Sequence, residues 1–170
     1  MPRWSAVLTV AALGIAWLPL AAPAAQAASP DVVISQVYGG GGGTGATYNR
    51  DFVELFNRGA STVSLTGKSV QYASATGTGN FGANPVTLLS GDLAPGSHYL
   101  VAMASGPTGA ALPTPDATGT VAMASTAGKA VLVDSTSGLA CNGSTTPCSP
   151  AQTALIRDLV GYGSASTFYE

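Results

Sequence analysis

Residues 51–72, DFVELFNRGASTVSLTGKSVQY, alternate apolar and polar side chains with a period of two and break at turn-forming residues every few positions. Nothing in this stretch has a helical period, so it predicts strand, turn, short strand, turn, strand. In the first strand Val53 and Leu55 face one side of a sheet, and Phe52, Glu54 and Phe56 face the other. Asn57, Arg58 and Gly59 end it with residues that tolerate turn conformations. Val63 and Leu65 alternate with Thr62, Ser64 and Thr66; Gly67 marks the next reversal, and Val70 with Tyr72 opens a third apolar face.

The rest of the chain continues in the same style. Residues 32–38, VVISQVY, are β-branched and predict the first strand, followed by a glycine-rich loop over 39–50. Residues 73–85 read as a second loop, and 85–89 as a short strand. The segment GDLAPGSHYLVAMA turns into a stronger strand in which Tyr99, Val101 and Met103 share a face. A loop over 105–119 leads to a short edge strand at 121–123, then to the strand KAVLVD at 129–134. Residues 154–160, ALIRDLV, predict a buried strand, with a helical segment around 152–157 as the lesser alternative. Seven or so short strands between Gly, Pro, Ser and Thr loops argue for an all-β, antiparallel sandwich. There is no internal repeat and no linker dividing two domains.

The chain opens with Pro2-Arg3, runs through an apolar segment at 6–20 and reaches Ala25-Gln26-Ala27. A basic start, an apolar run too short to span a bilayer comfortably and a small-residue A-x-A site together predict a signal peptide over 1–27. An uncleaved membrane anchor is the alternative. The expected mature chain, 28–170, is secreted and has no membrane span. It carries five basic residues, Arg50, Arg58, Lys68, Lys129 and Arg157, against eight acidic ones. The charged fraction is 8%, against roughly 25% in an average soluble domain, so the surface is built from Ser, Thr, Gly and Asn. No basic patch is available for nucleic acid. Cys141 and Cys148 are the only cysteines, and in an exported chain they predict one disulfide pinning a turn. Asn142-Gly143-Ser144 is formally a glycosylation acceptor.

Motifs with chemical potential are few. The run from Gly40 to Gly45 satisfies G-x-G-x-x-G after a strand, but a strand follows it where a dinucleotide site needs a helix N-terminus. Asp51 and Glu54 are a tempting carboxylate pair, yet odd spacing on a strand sends them to opposite faces. Asp51 is expected at the strand entrance, accepting hydrogen bonds from the loop, and Glu54 as a solvated or paired strand residue. Asp31, Asp51 and Asp158 could converge on calcium, although no clustered acidic loop is present. Ser97-His98 lacks the third group and the oxyanion hole of a hydrolase, so His98 is expected to open a strand after the Pro95-Gly96 turn. Tyr38, Tyr48, Tyr72, Phe81, Tyr99, Tyr162, Phe168 and Tyr169 are scattered and read as core or loop packing. No catalytic, cofactor-binding or metal set is read, and no cofactor is implied.

The segments VVISQVYGGGG, DFVELFNRG, VSLTGKSVQYAS, LAPGSHYLVA, AGKAVLV and DLVGYG, in this order, resemble the lamin-tail domain. That resemblance implies an immunoglobulin-like β-sandwich. The GGGG loop, ATGTGNF and CNGSTTPC look like the secreted bacterial version that precedes extracellular nucleases. Two departures stand out. Lys68 occupies the position where the family usually has a tryptophan, and the strand expected after the GYG segment is absent, which implies a sandwich over 28–170 lacking its last strand or strands. The family carries no general catalytic set, so none is transferred. The resemblance implies a secreted, non-catalytic module that binds or tethers a protein, cell-envelope component or extracellular polymer as accessory to an enzyme. The alternative is the N-terminal fragment of an extracellular endonuclease or phosphodiesterase whose catalytic domain lies elsewhere.

Overall fold

The computed structural model describes Met1, Ser29 and residues 31–76 and 79–167. Residues 2–27 of the expected signal peptide and the aromatics Phe168 and Tyr169 lie outside the described residues. Among the described residues ten strands form two four-stranded sheets and a small ribbon. The front sheet has the order β1-β2-β7-β8, with β1 Val32–Tyr38, β2 Arg50–Asn57, β7 His98–Ser105 and β8 Ala117–Thr118. The back sheet has the order β10-β9-β4-β5, with β10 Ile156–Tyr162, β9 Gly128–Val133, β4 Ser69–Ser74 and β5 Thr87–Leu88. The ribbon pairs β3, Val63–Ser64, with β6, Asp92–Leu93. Every pairing is antiparallel except β7 with β8. Among the described residues no helix is long and apolar enough to cross a membrane. The all-β, immunoglobulin-like sandwich expected from the sequence is the observed fold.

The two sheets meet over one core. Val53 and Leu55 of β2, and Tyr99, Val101 and Met103 of β7, pack against Val70 and Tyr72 of β4 and Ala130 and Leu132 of β9. Each is held by the period-two alternation of its own strand, so the core follows directly from the pattern. Two local readings need correction. Residues 121–123 are not a strand: Val121 and Met123 are buried, but the segment is held by single ties, and the front-sheet edge is formed by β8 instead. The last strand begins only at Ile156, after a one-turn helix α1, Pro150–Thr153, started by a capping box between Ser149 and Gln152. Pro150 in its first turn and the Ser149 cap are local signals strong enough to start a helix before the strand.

The back sheet is covered on its outer side as well. Ala73, Val131, Val133 and Leu159 form a second apolar cluster with Phe81, Leu139 and Cys141. This explains why all six residues of β9 are buried and why the strand reads as a continuous apolar run. The cover is a strap through the 135–148 region, fastened by Gln71. The Gln71 side chain donates to the Ser137 carbonyl at 3.0 Å and accepts from the Leu139 amide at 2.9 Å. The Cys141–Cys148 disulfide closes the end of the strap as expected. Asn142 inside that loop is 1% exposed and its amide donates to Thr145, so the formal glycosylation acceptor offers no accessible nitrogen.

Beneath the strap lies Lys129, fully buried, its ammonium donating to the Asn142 carbonyl at 2.7 Å and 5.9 Å from the Phe81 ring centroid. Burial pushes its pKa below the ordinary 10.5. Between the folded and unfolded values the unfolded chain binds a proton that the folded chain does not, so stability rises with pH across that interval. Tyr162, raised above 10.0 by burial and by Tyr72, opposes this at still higher pH. Lys129→Met removes the buried charge, and it is expected to raise stability at neutral pH by about 1–2 kcal/mol. It is also expected to flatten the rise toward pH 10, as read from urea unfolding at several pH values.

Candidate functional site

The glycine-rich loop between β1 and β2 is a packing device. A Cβ on Gly41 would lie 2.0 Å from the Arg50 carbonyl carbon, and one on Gly42 2.2 Å from the Gly106 Cα. The Gly40 amide donates to the Met123 carbonyl and the Gly42 amide to the Tyr48 carbonyl. The Gly41 amide donates to Asp51 Oδ1 at 2.6 Å. These amides are therefore already committed to acceptors within the chain. Asp51, buried at the strand entrance as expected, also accepts the Met123 amide on Oδ2 at 2.6 Å.

The acidic residues considered for calcium do not converge. Asp158 accepts the Ile34 amide, tying β10 to β1 at a bulge in each strand. Asp31 accepts from Arg157, which also holds Asp134; Lys68 completes the chain at 2.6 Å from Asp134. Burial opposes ionisation of Asp31, but hydrogen bonds from Ser29 and the Val32 amide, together with Arg157, hold its carboxyl below the ordinary value. Asp134 is likewise buried enough to resist ionisation and is held low by Arg157 and Lys68. Lys68, at the expected tryptophan position, thus makes an ion pair between the start of β4 and the end of β9. Among the described residues no group of three His, Cys, Asp or Glu side chains could hold a metal ion.

The outer face of the front sheet is different in kind. A bulge between Ile34 and Gln36 makes Ser35 the extra residue of β1 and shifts the alternation by one. Val37 therefore stays on the core side, while Gln36 and Tyr38 turn outward beside their register partners Glu54 and Phe52. Tyr38 stacks on Phe52, ring centroids 5.4 Å apart and planes at 14°, and Tyr48 meets both rings edge-on. Tyr38 and Tyr48, expected as core or loop packing, pack on Phe52; a bulge and a loop, neither visible in the spacing, bring them together. Residues 106–116 fold back over this face, held by the Ala110 amide on the Thr47 carbonyl and the Asn49 amide on the Ala110 carbonyl.

Gln36, Tyr48, Phe52, Glu54, Leu100, Leu112 and Pro113 line a cavity of about 160 Å³ there. Glu54 Oε1 accepts from Ser35 Oγ at 2.7 Å and from His98 Nδ1 at 2.9 Å. His98 opens β7 as expected and packs against Phe56, ring centroids 4.7 Å apart. Serine, carboxylate and imidazole meet, but the serine bonds the carboxylate rather than the imidazole, so the Ser-His-Asp order of a hydrolase triad is not reproduced. The arrangement presents a carboxylate held in place by two donors on the same oxygen. Asp51 and Glu54 are engaged with separate partners, as the odd spacing requires.

Residues 25–157, most of the chain, match the family described as Lamin Tail Domain. The chain belongs to the lamin tail domain family. A comparison with curated proteins returned no match. In this lamin tail domain the expected motifs fall on the front sheet, on β4 and β9 of the back sheet, and on the glycine loop that packs beneath Asp51. The lamin tail domain is an immunoglobulin-like module and not a known catalytic domain.

Proposed function

We propose that this lamin tail domain is an exported, non-catalytic interaction module. In this reading, residues 28–170 hold a protein, envelope component or extracellular polymer against the outer face of the front sheet and so tether or position a neighbouring enzyme. The observation that carries the reading is the cavity beside Glu54, a concave, half-apolar site with Phe52 and Leu100 of two strands as its floor and Tyr48, Leu112 and Pro113 of the loops as its walls. Export is supported by the Pro2-Arg3 start, the Ala25-Gln26-Ala27 site and a disulfide of the kind that persists in oxidising compartments. The likeness of the GGGG, ATGTGNF and CNGSTTPC segments to those preceding secreted nucleases favours a phosphodiesterase as the enzyme served.

Intact mass spectrometry of the secreted product, with a plasmid-cleavage assay in Mg²⁺ on purified residues 28–170, tests this reading. A species beginning at residue 28, two hydrogens lighter than the reduced chain and without cleavage activity, is the expected result. Cleavage by residues 28–170 would overturn the non-catalytic reading. Retention of 1–27 would overturn the export route. A much larger species carrying this domain would mean that the enzyme is fused to it.

A further inference from the structure

We propose that the outer-face cavity takes the cationic side chain of a lysine or arginine presented by a basic peptide or protein partner. The proposal rests on the interaction-module reading and names its partner's chemistry. Size comes first. A cavity of about 160 Å³ is far smaller than the roughly 300–1,000 Å³ of small-molecule sites and close to the roughly 150 Å³ that holds benzene. It accommodates one side chain.

The lining then selects which. Tyr48, Phe52, Leu100, Leu112 and Pro113 give an apolar sleeve suited to an aliphatic stem, and Glu54 and Gln36 supply acceptors. Ser35 and His98 both donate to Oε1 of Glu54 and fix the carboxylate in place, while Oε2 accepts no hydrogen bond from the described residues. A fixed carboxylate in a half-apolar wall, its side chain 22% exposed, favours an ammonium or guanidinium and repels anions.

Among the described residues no Lys or Arg fills that role. Arg50 donates to the Met103 carbonyl, Arg58 to the Ser29 carbonyl and Lys129 to the Asn142 carbonyl. Lys68 and Arg157 are held by Asp134 and Asp31. None of the five lines the cavity. A sugar ring fits less well. Tyr38 and Phe52 turn their faces on each other, and Phe52 is 8% exposed, so no open aromatic platform is offered.

The test is ¹H–¹⁵N NMR titration of the full mature chain with four probes. These are the Nα-acetyl methylamides of lysine, arginine and norleucine, and methyl β-glucoside. Saturable shifts at the amides of Glu54, Leu100 and Leu112 are expected with lysine and arginine. Binding of norleucine should be at least about tenfold weaker, the size of one charge-assisted contact. Glu54→Gln should erase that difference. Leu112→Arg, which changes only the loop wall, should block all binding and guards against a fold defect in the first variant. Equal binding of lysine and norleucine would overturn the cationic preference while leaving the face a binding surface. Saturation by the glucoside but not the cations would replace the proposal with a polysaccharide site. Silence from all four probes would overturn it outright, whereas the interaction-module reading stands or falls on binding of the whole domain to its partner.

Discussion

Asp51→Ala is expected to lower the stability of the domain by about 3–5 kcal/mol, because it orphans two buried amides at once. Asp51 is 2% exposed, and its two oxygens accept the Gly41 and Met123 amides, each at 2.6 Å. One carboxylate thus ties the glycine loop and the segment entering β9 to the start of β2. The loop cannot relax to find new acceptors, since Gly41 lies directly against the Arg50 backbone. Asp51→Asn keeps one acceptor and turns an amide toward the other donor, so an intermediate loss is expected. Urea unfolding measures both, and hydrogen exchange at Gly41 and Met123 should accelerate in the alanine variant before the rest of the sheet opens. A loss below about 1 kcal/mol would mean that water replaces the carboxylate. The Gly42 amide bonds the Tyr48 carbonyl in the same loop, so Asp51→Ala should also loosen one wall of the cavity.

The second large effect belongs to the strap. Cys141→Ala with Cys148→Ala is expected to cost about 3 kcal/mol. The two residues are 7 apart in sequence, and chain entropy for a closed loop of that length contributes about 2.5 kcal/mol. The remainder comes from what the loop covers. Its Asn142 carbonyl is the acceptor for the buried Lys129 ammonium, and its Cys141 and Leu139 carbonyls receive the Phe81 and Gly82 amides. Once the loop frays, a buried cation faces an apolar cluster without its partner. The urea midpoint of the double variant should fall, and adding Lys129→Met to it should recover part of the loss. If the triple variant is no more stable than the double, the ammonium is not what the strap protects.

The core was legible in the sequence because it obeys one rule. Val53 and Leu55, Tyr99, Val101 and Met103, and Val70 with Tyr72 are set by alternation, and each lies between the sheets. Two features followed other rules. KAVLVD reads as a strand, but periodicity does not say what covers its second face; Gln71, a polar residue in mid-strand, is the residue that anchors the strap. The outer-face site depended on a single extra residue, Ser35. One bulge reverses which side of the sheet Gln36 and Tyr38 occupy, and bulges leave no composition signal in VVISQVY. The return of residues 106–116 over that face is likewise a long-range packing choice that a Pro- and Gly-rich stretch does not announce. Glu54 reads as a solvated or paired strand residue, and it is paired; its place at the polar end of a cavity depends on the loop.

The most direct test of the central claim is surface-resolved binding of residues 28–170 to the envelope of the cells that produce the protein. Fluorescently labelled wild type would be compared with Leu112→Arg on the outer front face and with Leu88→Arg, which alters a side chain already 56% exposed on β5 of the back sheet. Saturable binding by wild type and Leu88→Arg, lost in Leu112→Arg, is the expected result. Equal binding by all three would place the contact elsewhere on the sandwich, and no saturable binding by wild type would contradict the tethering role to the envelope itself.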